Sequence, residues 1–298
     1  LQDFSAVKIT PIYSIHYVQH NTSVVIENNQ YLLDSLVPIL PKKNIKNILT
    51  KAGSLNAYNI LAPDSIFYLS SKLPQPILFY VYGGPRHEEV ENIWEQNQIN
   101  FYLYYLAQQG IHIVCIDPRG SIGKGAEFKK STHLKLGKLE TEDLIDYATF
   151  LKGNDSINKS RIGIFGWSYG AYLSLLCLEQ KNTPFKTAIA VAPVTNWKFY
   201  DNIYSERYLH TPQENPKGYE QFNPIALAKN LTGKLLLIHG TADDNVHFQN
   251  SVELIEALND AGKIYDLYLY PDKDHSISGG NTRFELFKRL TDFLMKNL

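Results

Sequence analysis

Ser168 stands in Gly166-Trp167-Ser168-Tyr169-Gly170, between the apolar run Ile162-Gly163-Ile164-Phe165 and a helix-like segment, Ala171 to Glu179. Glycines on both sides of a serine permit a sharp strand-to-helix turn in which larger side chains would collide. Such a turn lifts the serine Oγ clear of a sheet and aims a helix N-terminus at negative charge developing beside it. The chemistry it predicts is nucleophilic attack with a covalent intermediate. Three fixed positions in five recur by chance, so the strand before and the helix after carry the weight.

A serine alone is a poor nucleophile. On this turn the acid and the histidine follow it in the chain, in that order. Leu235-Leu236-Leu237-Ile238 runs as a strand into His239-Gly240-Thr241-Ala242-Asp243-Asp244-Asn245, and Tyr265 to Tyr270 runs into Pro271-Asp272-Lys273-Asp274-His275. An acidic residue just past a strand end fits the acid, and sequence order leaves Asp243 and Asp244 both open. His275 fits the base. His239 and His247 compete with it, but His239 ends an apolar strand ahead of the acid and reads as a structural histidine. The nine histidines show no metal-ligand spacing such as H-E-x-x-H, so neither a metal nor another cofactor is assigned. For the oxyanion, the backbone N–H of Tyr169 is one expected donor, and Tyr82, at the end of its strand, reads as a phenolic donor or as a core aromatic.

These residues need a sheet whose strand ends share one edge. Pro76–Tyr82, Ile111–Asp117, Arg161–Phe165, Thr187–Ala192, Lys234–His239 and Tyr265–Tyr270 are short apolar runs. Helical segments alternate with them: Asn92–Gln109 closed by Gly110, the Leu144, Ile145, Ala148 and Leu151 stripe, Ala171–Glu179, Phe248–Ala261 and Arg283–Asn297. The alternation predicts an α/β fold, a mostly parallel sheet with helices on both faces. Upstream, Val7–Tyr17, Ser23–Leu33 and Ser54–Ala62 read as strands, and the lysines at 42, 43, 46 and 51 as a solvated face. The expected division is a β-rich segment over 1–62 and a catalytic domain over 63–298.

Composition is that of a globular chain, 44% hydrophobic and 20% charged, with a formal net charge of −1. That balance gives no reason to expect nucleic acid as a partner. No apolar run approaches the ~18 residues of a spanning helix. Cys115 and Cys177 read as buried apolar side chains rather than a disulfide. The chain opens on Leu1, and the expectation is a processed chain or part of a longer one.

The serine motif, taken with His239 to Phe248 (HGTADDNVHF), Asp117-Pro118-Arg119-Gly120-Ser121, Tyr82-Gly83-Gly84-Pro85, Ala192-Pro193-Val194 and Trp197 to Tyr208, resembles the prolyl oligopeptidase family in its dipeptidyl peptidase IV branch. The resemblance runs from about Pro76 to the C-terminus and implies the α/β-hydrolase fold. It implies Ser168 as nucleophile, Asp243 as acid, His275 as base and Tyr82 as side-chain oxyanion donor. Tyr169, Val194, Trp197, Tyr200, Tyr204 and Val246 would line a compact S1 pocket for proline or alanine. Asn245 would hold the carbonyl of the P2 residue. The implied reaction is release of N-terminal dipeptides from a peptide substrate, and the implied assembly is a homodimer formed through the hydrolase domain. Ala171 departs from the pattern, standing where this branch has a further glycine. The family's β-propeller, which supplies an acidic pair for the substrate's amino terminus, has no counterpart here beyond the 1–62 segment, read as its last strands and a connector.

Overall fold

The structure, a computed structural model, describes residues 2–3, 12–17, 22–27, 41–51, 53–61, 74–91 and 97–298. Strands β1 (Gln2–Asp3), β2 (Ile12–Tyr17) and β3 (Thr22–Glu27) pair antiparallel in a small sheet. The remainder of the strands expected over Val7–Tyr17 and Ser23–Leu33, and the first turns of the helix expected from Asn92, lie outside the described residues.

The main sheet has eight strands: β4 (Lys42–Thr50), β5 (Gly53–Leu61), β6 (Gln75–Val81), β7 (His112–Asp117), β8 (Ile157–Trp167), β9 (Thr187–Val191), β10 (Lys234–Gly240) and β11 (Asp266–Tyr270). Their order is β11-β10-β9-β8-β6-β7-β5-β4. Strands β6 to β11 pair in parallel, while β5 joins β7 and β4 joins β5 antiparallel. The lysine run expected as a solvated face therefore lies on an edge strand, β4. Its face is exposed at Lys46, and Lys43 sets its ammonium 4.4 Å from the Tyr58 ring. Charged edge strands resist pairing with other chains. The sheet thus reaches upstream of the 62/63 division drawn from the sequence, because β5 hydrogen-bonds into β7.

Helices α1 (Gln98–Gln108), α2 (Gly125–Lys130), α3 (Lys138–Leu151), α4 (Tyr169–Glu179), α5 (Asn202–Leu209), α6 (Pro216–Glu220), α7 (Pro224–Leu227), α8 (Gln249–Asp260) and α9 (Thr282–Asn297) connect and flank the strands. The short α2, α6 and α7 were not foreseen. None of the described helices is long and apolar enough to cross a membrane.

Side chains alternate across a strand, so each strand feeds two cores. Ile77, Phe79, Val81, Ile162, Ile164, Leu235 and Leu237 pack with residues of α3, α4 and α8. Leu78, Tyr80, Ile113, Phe165, Leu236 and Ile238 pack on the other face with α1 and α9. Helix α4 is buried along its whole length, which explains why its sequence is apolar all round instead of amphipathic. Both cysteines are free and buried.

The connection from β6 leads to β7, and the connection from β8 leads to β9 on the opposite side. The carboxyl ends of the neighbours β6 and β8 therefore bound a crevice, where open α/β sheets place ligands. A Cβ on Gly170 would lie 1.9 Å from the Val81 carbonyl oxygen, and one on Gly166 would lie 2.1 Å from the Gly170 carbonyl. Gly170→Ala is therefore expected to cost roughly 3 kcal/mol or more, since the clash is with backbone that cannot yield. Gly262→Ala meets nothing within 4 Å and only the strain of φ +63°, so a cost of about 1 kcal/mol is expected. Thermal denaturation of the pair checks this, and equal melting temperatures would contradict the seating of the turn on β6.

Candidate active site

Ser168 follows the last residue of β8 and caps α4 with φ 58° and ψ −118°. That is an unfavourable backbone for a side-chain-bearing residue, of the kind stored at functional turns. The surroundings hold it there: its N–H donates to the Val191 carbonyl at 2.9 Å, and its carbonyl accepts from the Tyr172 N–H at 3.1 Å. The amide of Tyr169 lies in the first turn of α4, where N–H groups lack intrahelical partners.

Asp243 lies beyond β10 and His275 beyond β11, and two loop contacts clamp them together. The Ala242 N–H donates to the Lys273 carbonyl at 3.1 Å, and the Asp272 N–H donates to Thr241 Oγ1 at 3.0 Å. His275 Nδ1 then meets Asp243 Oδ2 at 2.7 Å. Trp167 Nε1, next to the serine, donates to the His275 carbonyl at 3.0 Å and ties the histidine loop to the turn. Of the two acids left open by the sequence, Asp243 is buried and paired, while Asp244 is exposed.

Asp243 is saturated with donors. Oδ1 accepts the N–H groups of Asn245 at 3.0 Å and Val246 at 2.9 Å, and Oδ2 accepts His275 and, at 3.2 Å, His239 Nε2. Burial by itself would raise its pKa, but hydrogen bonds from His239 and His275, with the His275 charge and the Val246 amide, hold the carboxyl far below the usual carboxylate range. His239, read from the sequence as a structural histidine, also reaches Ser251 Oγ at 2.7 Å through Nδ1 and the Val246 carbonyl at 2.8 Å through Nε2. Facing a carbonyl and a carboxylate, Nε2 must carry the hydrogen. Its strand-end position gave no signal of this contact; the i, i+4 spacing to Asp243 was the only available clue.

Tyr82 follows β6, half-buried, with its ring 4.3 Å from His87 and 6.3 Å from Tyr169. Burial, then the charge of Glu89, pushes its hydroxyl pKa up, so the O–H is retained as a donor. Glu89 and Val90 are anchored through their N–H groups to Asp117, whose carboxyl burial pushes up to about 6.

The residues expected to form a pocket do gather. Trp197 lies 5.4 Å from Tyr169, 5.8 Å from Tyr200 and 5.6 Å, stacked, from Tyr204. Val194 and Val246 belong to the same buried cluster. Tyr200 donates to Asn245 Oδ1 at 3.0 Å, which fixes the amide and leaves its nitrogen end for other partners.

A serine on a strained strand-to-helix turn at the sheet's switch point, with an acid–histidine pair from the next strand ends, defines an α/β-hydrolase. The comparison with known proteins is narrower. The prolyl oligopeptidase family profile matches residues 97–298, and the chain belongs to that family. It is 39% identical over 244 residues to dipeptidyl aminopeptidase B of Saccharomyces cerevisiae, covering 80% of this chain and 29% of that protein. It is 42% identical over 226 residues to a probable dipeptidyl-aminopeptidase B of Paracoccidioides lutzii, covering 74% and 24%. The structure resembles dipeptidyl peptidase 4 of Porphyromonas gingivalis with a TM-score of 0.90 and 36% identity, covering 100% of this chain and 41% of that one. The chain thus spans well under half the length of these relatives.

The depressed Asp243 pKa makes stability depend on pH in a definite direction. A carboxyl whose folded pKa lies below its unfolded value of ~3.9 contributes stability that is fully present above that value and lost as pH falls through the folded pKa. Asp243→Asn is expected to be less stable than wild type at pH 7, with the gap narrowing below pH ~4. Urea midpoints at pH 7, 5 and 3.5 measure it, and a gap that widens in acid would contradict the assignment.

Proposed function

We propose that this chain is the catalytic region of a dipeptidyl peptidase that releases N-terminal dipeptides ending in proline or alanine. The observation that carries the reading is the Asp243–His275 pair at 2.7 Å, set beside a serine on its strained turn and an aromatic pocket. The names of the relatives support the exopeptidase chemistry. A flat pyrrolidine ring suits walls of Trp197, Tyr200 and Tyr204, because rigid aromatics bury it with little entropy to lose.

In this mechanism Ser168 attacks the carbonyl carbon of the P1 residue while His275 takes its proton. Asp243 holds the imidazole through Nδ1–H and stabilises the imidazolium. The carbonyl oxygen, now an oxyanion, receives hydrogen bonds from the Tyr169 amide and the Tyr82 hydroxyl. His275 passes the proton to the departing amine as the C–N bond breaks, leaving an acyl-enzyme on Ser168. Water, activated by His275, then releases the dipeptide. Asn245 would receive the P2 carbonyl.

Release of nitroaniline from Gly-Pro-p-nitroanilide, beside hydrolysis of p-nitrophenyl acetate, tests the reading. Ser168→Ala is expected to abolish both with the circular dichroism spectrum unchanged. Tyr82→Phe is expected to lower kcat by about 10²–10³, the usual effect of losing one oxyanion donor, with KM nearly constant. Ester hydrolysis without anilide cleavage would show a working triad in a chain that does not bind the dipeptide substrate by itself, and activity surviving in Ser168→Ala would sink the nucleophile.

A further inference from the structure

Glu140, in the first turn of α3, is completely buried. Its Oε1 accepts the Tyr169 hydroxyl at 2.8 Å, and its Oε2 has no hydrogen-bond partner. The ionisable groups that act on it are Asp143 on its own helix, Tyr169 and Tyr172 on α4, and Tyr204 on α5, none of them a cation. The nearby guanidinium, Arg119, is already bound to Asp143 at 2.7 Å. An ionised carboxylate without a countercharge is costly in such a place.

Tyr169 joins two parts of the site. Its backbone N–H follows the serine, and its ring contacts Trp197 at 5.4 Å, Tyr172 at 5.4 Å and Tyr82 at 6.3 Å. Among the hydrogen bonds of its side chain, the one to Glu140 is directional and fixes where the phenol end can sit.

We propose that Glu140 is a positioning residue for S1 and the oxyanion site: its carboxyl anchors the Tyr169 ring from behind, and a charge placed there, with Oε2 unpartnered in the core, disturbs that packing. The assignment rests on the reading of Ser168 and its pocket as a peptidase site. Burial, opposed by the backbone of Glu140 and Gly137 and by the Tyr169 hydroxyl, pushes the carboxyl up to about 8. The neutral form then prevails at pH 7 and the charged form gains above about 8. The carboxyl and the amide of glutamine share the acceptor oxygen, so Glu140→Gln keeps the tyrosine contact and removes the titration, whereas Glu140→Ala removes both.

Two measurements test it. In protein labelled with carbon-13 at the tyrosine ζ position, the Tyr169 resonance, assigned with Tyr169→Phe, is expected to move with a midpoint near pH 8 in wild type and stay flat in Glu140→Gln. A flat wild-type resonance overturns the proposal. This readout does not depend on turnover, so it separates failure of the proposal from failure of the peptidase reading. In kinetics with Gly-Pro- and Gly-Ala-p-nitroanilide, Glu140→Ala is expected to lose roughly tenfold in kcat/KM for proline and less for alanine, as one buried hydrogen bond is removed. Glu140→Gln is expected to restore the preference and to lack the alkaline fall in kcat expected of wild type. Equal losses for both substrates in Glu140→Ala, or an alkaline limb persisting in Glu140→Gln, would leave Glu140 a purely structural acid.

Discussion

The structure depends on how closely α4 approaches the end of β6. Val81 and Gly166 are register partners in adjacent parallel strands, and the chain leaving β8 has to reverse into a helix within that spacing. Only glycine at 166 and 170 leaves the room, because any Cβ would enter a peptide group of the turn or of β6. The packing forces Ser168 to positive φ, and the burial of all of α4 supplies the stabilisation that offsets the strain. The partial exposure of Ser168 is therefore a by-product of helix–sheet packing and requires no flexible loop.

Around that fixed point the polar groups are arranged by saturation. Asp243 has about four lone-pair sites in its plane, and two backbone amides and two histidines occupy them. A carboxylate held this far below its usual pKa stays ionised, so that it can orient the His275 imidazole and offer it a negative charge. His239 does not reach the serine. It fills the last acceptor position and links the acid to Ser251 on α8, so that the acid loop is fixed from behind by a core helix and from the front by the loop of His275. Asp244, one residue on in the turn after β10, lacks this environment because it faces solvent.

Much of this was legible in the sequence, and for physical reasons. Apolar runs of six or seven residues ending in turns gave β6, β7, β9 and β10, since strands buried on both faces leave no polar alternation to confuse the reading. Strand-end positions placed Ser168, Asp243 and His275 on one edge. Strand β4 was missed because an edge strand with one solvated face can be rich in lysine, and charge then hides the pattern. The short helices α6 and α7 were missed because each starts at an Asn cap and carries too few residues for a periodicity, and α2 because its six residues bury none of their number. The contact of Glu140 with Tyr169 was invisible because the two residues lie 29 apart in the chain on different helices, and that of His239 with Asp243 left only an i, i+4 spacing as a trace.

The same reliance on packing shapes the aromatic cleft. The walls assigned to the P1 residue all come from elements within residues 169–246, and they are held by one another: Trp197 stacks on Tyr204, Tyr200 is fixed by Asn245, and Tyr169 is tied to Glu140. Rigid walls give selectivity by shape without an added ordering cost on binding. The aromatic hydroxyls in that cleft stay protonated, with burial pushing Tyr82, Tyr200 and Tyr204 upward. Under the proposed reading, the preference for proline follows from this packing of aromatic walls around Trp197.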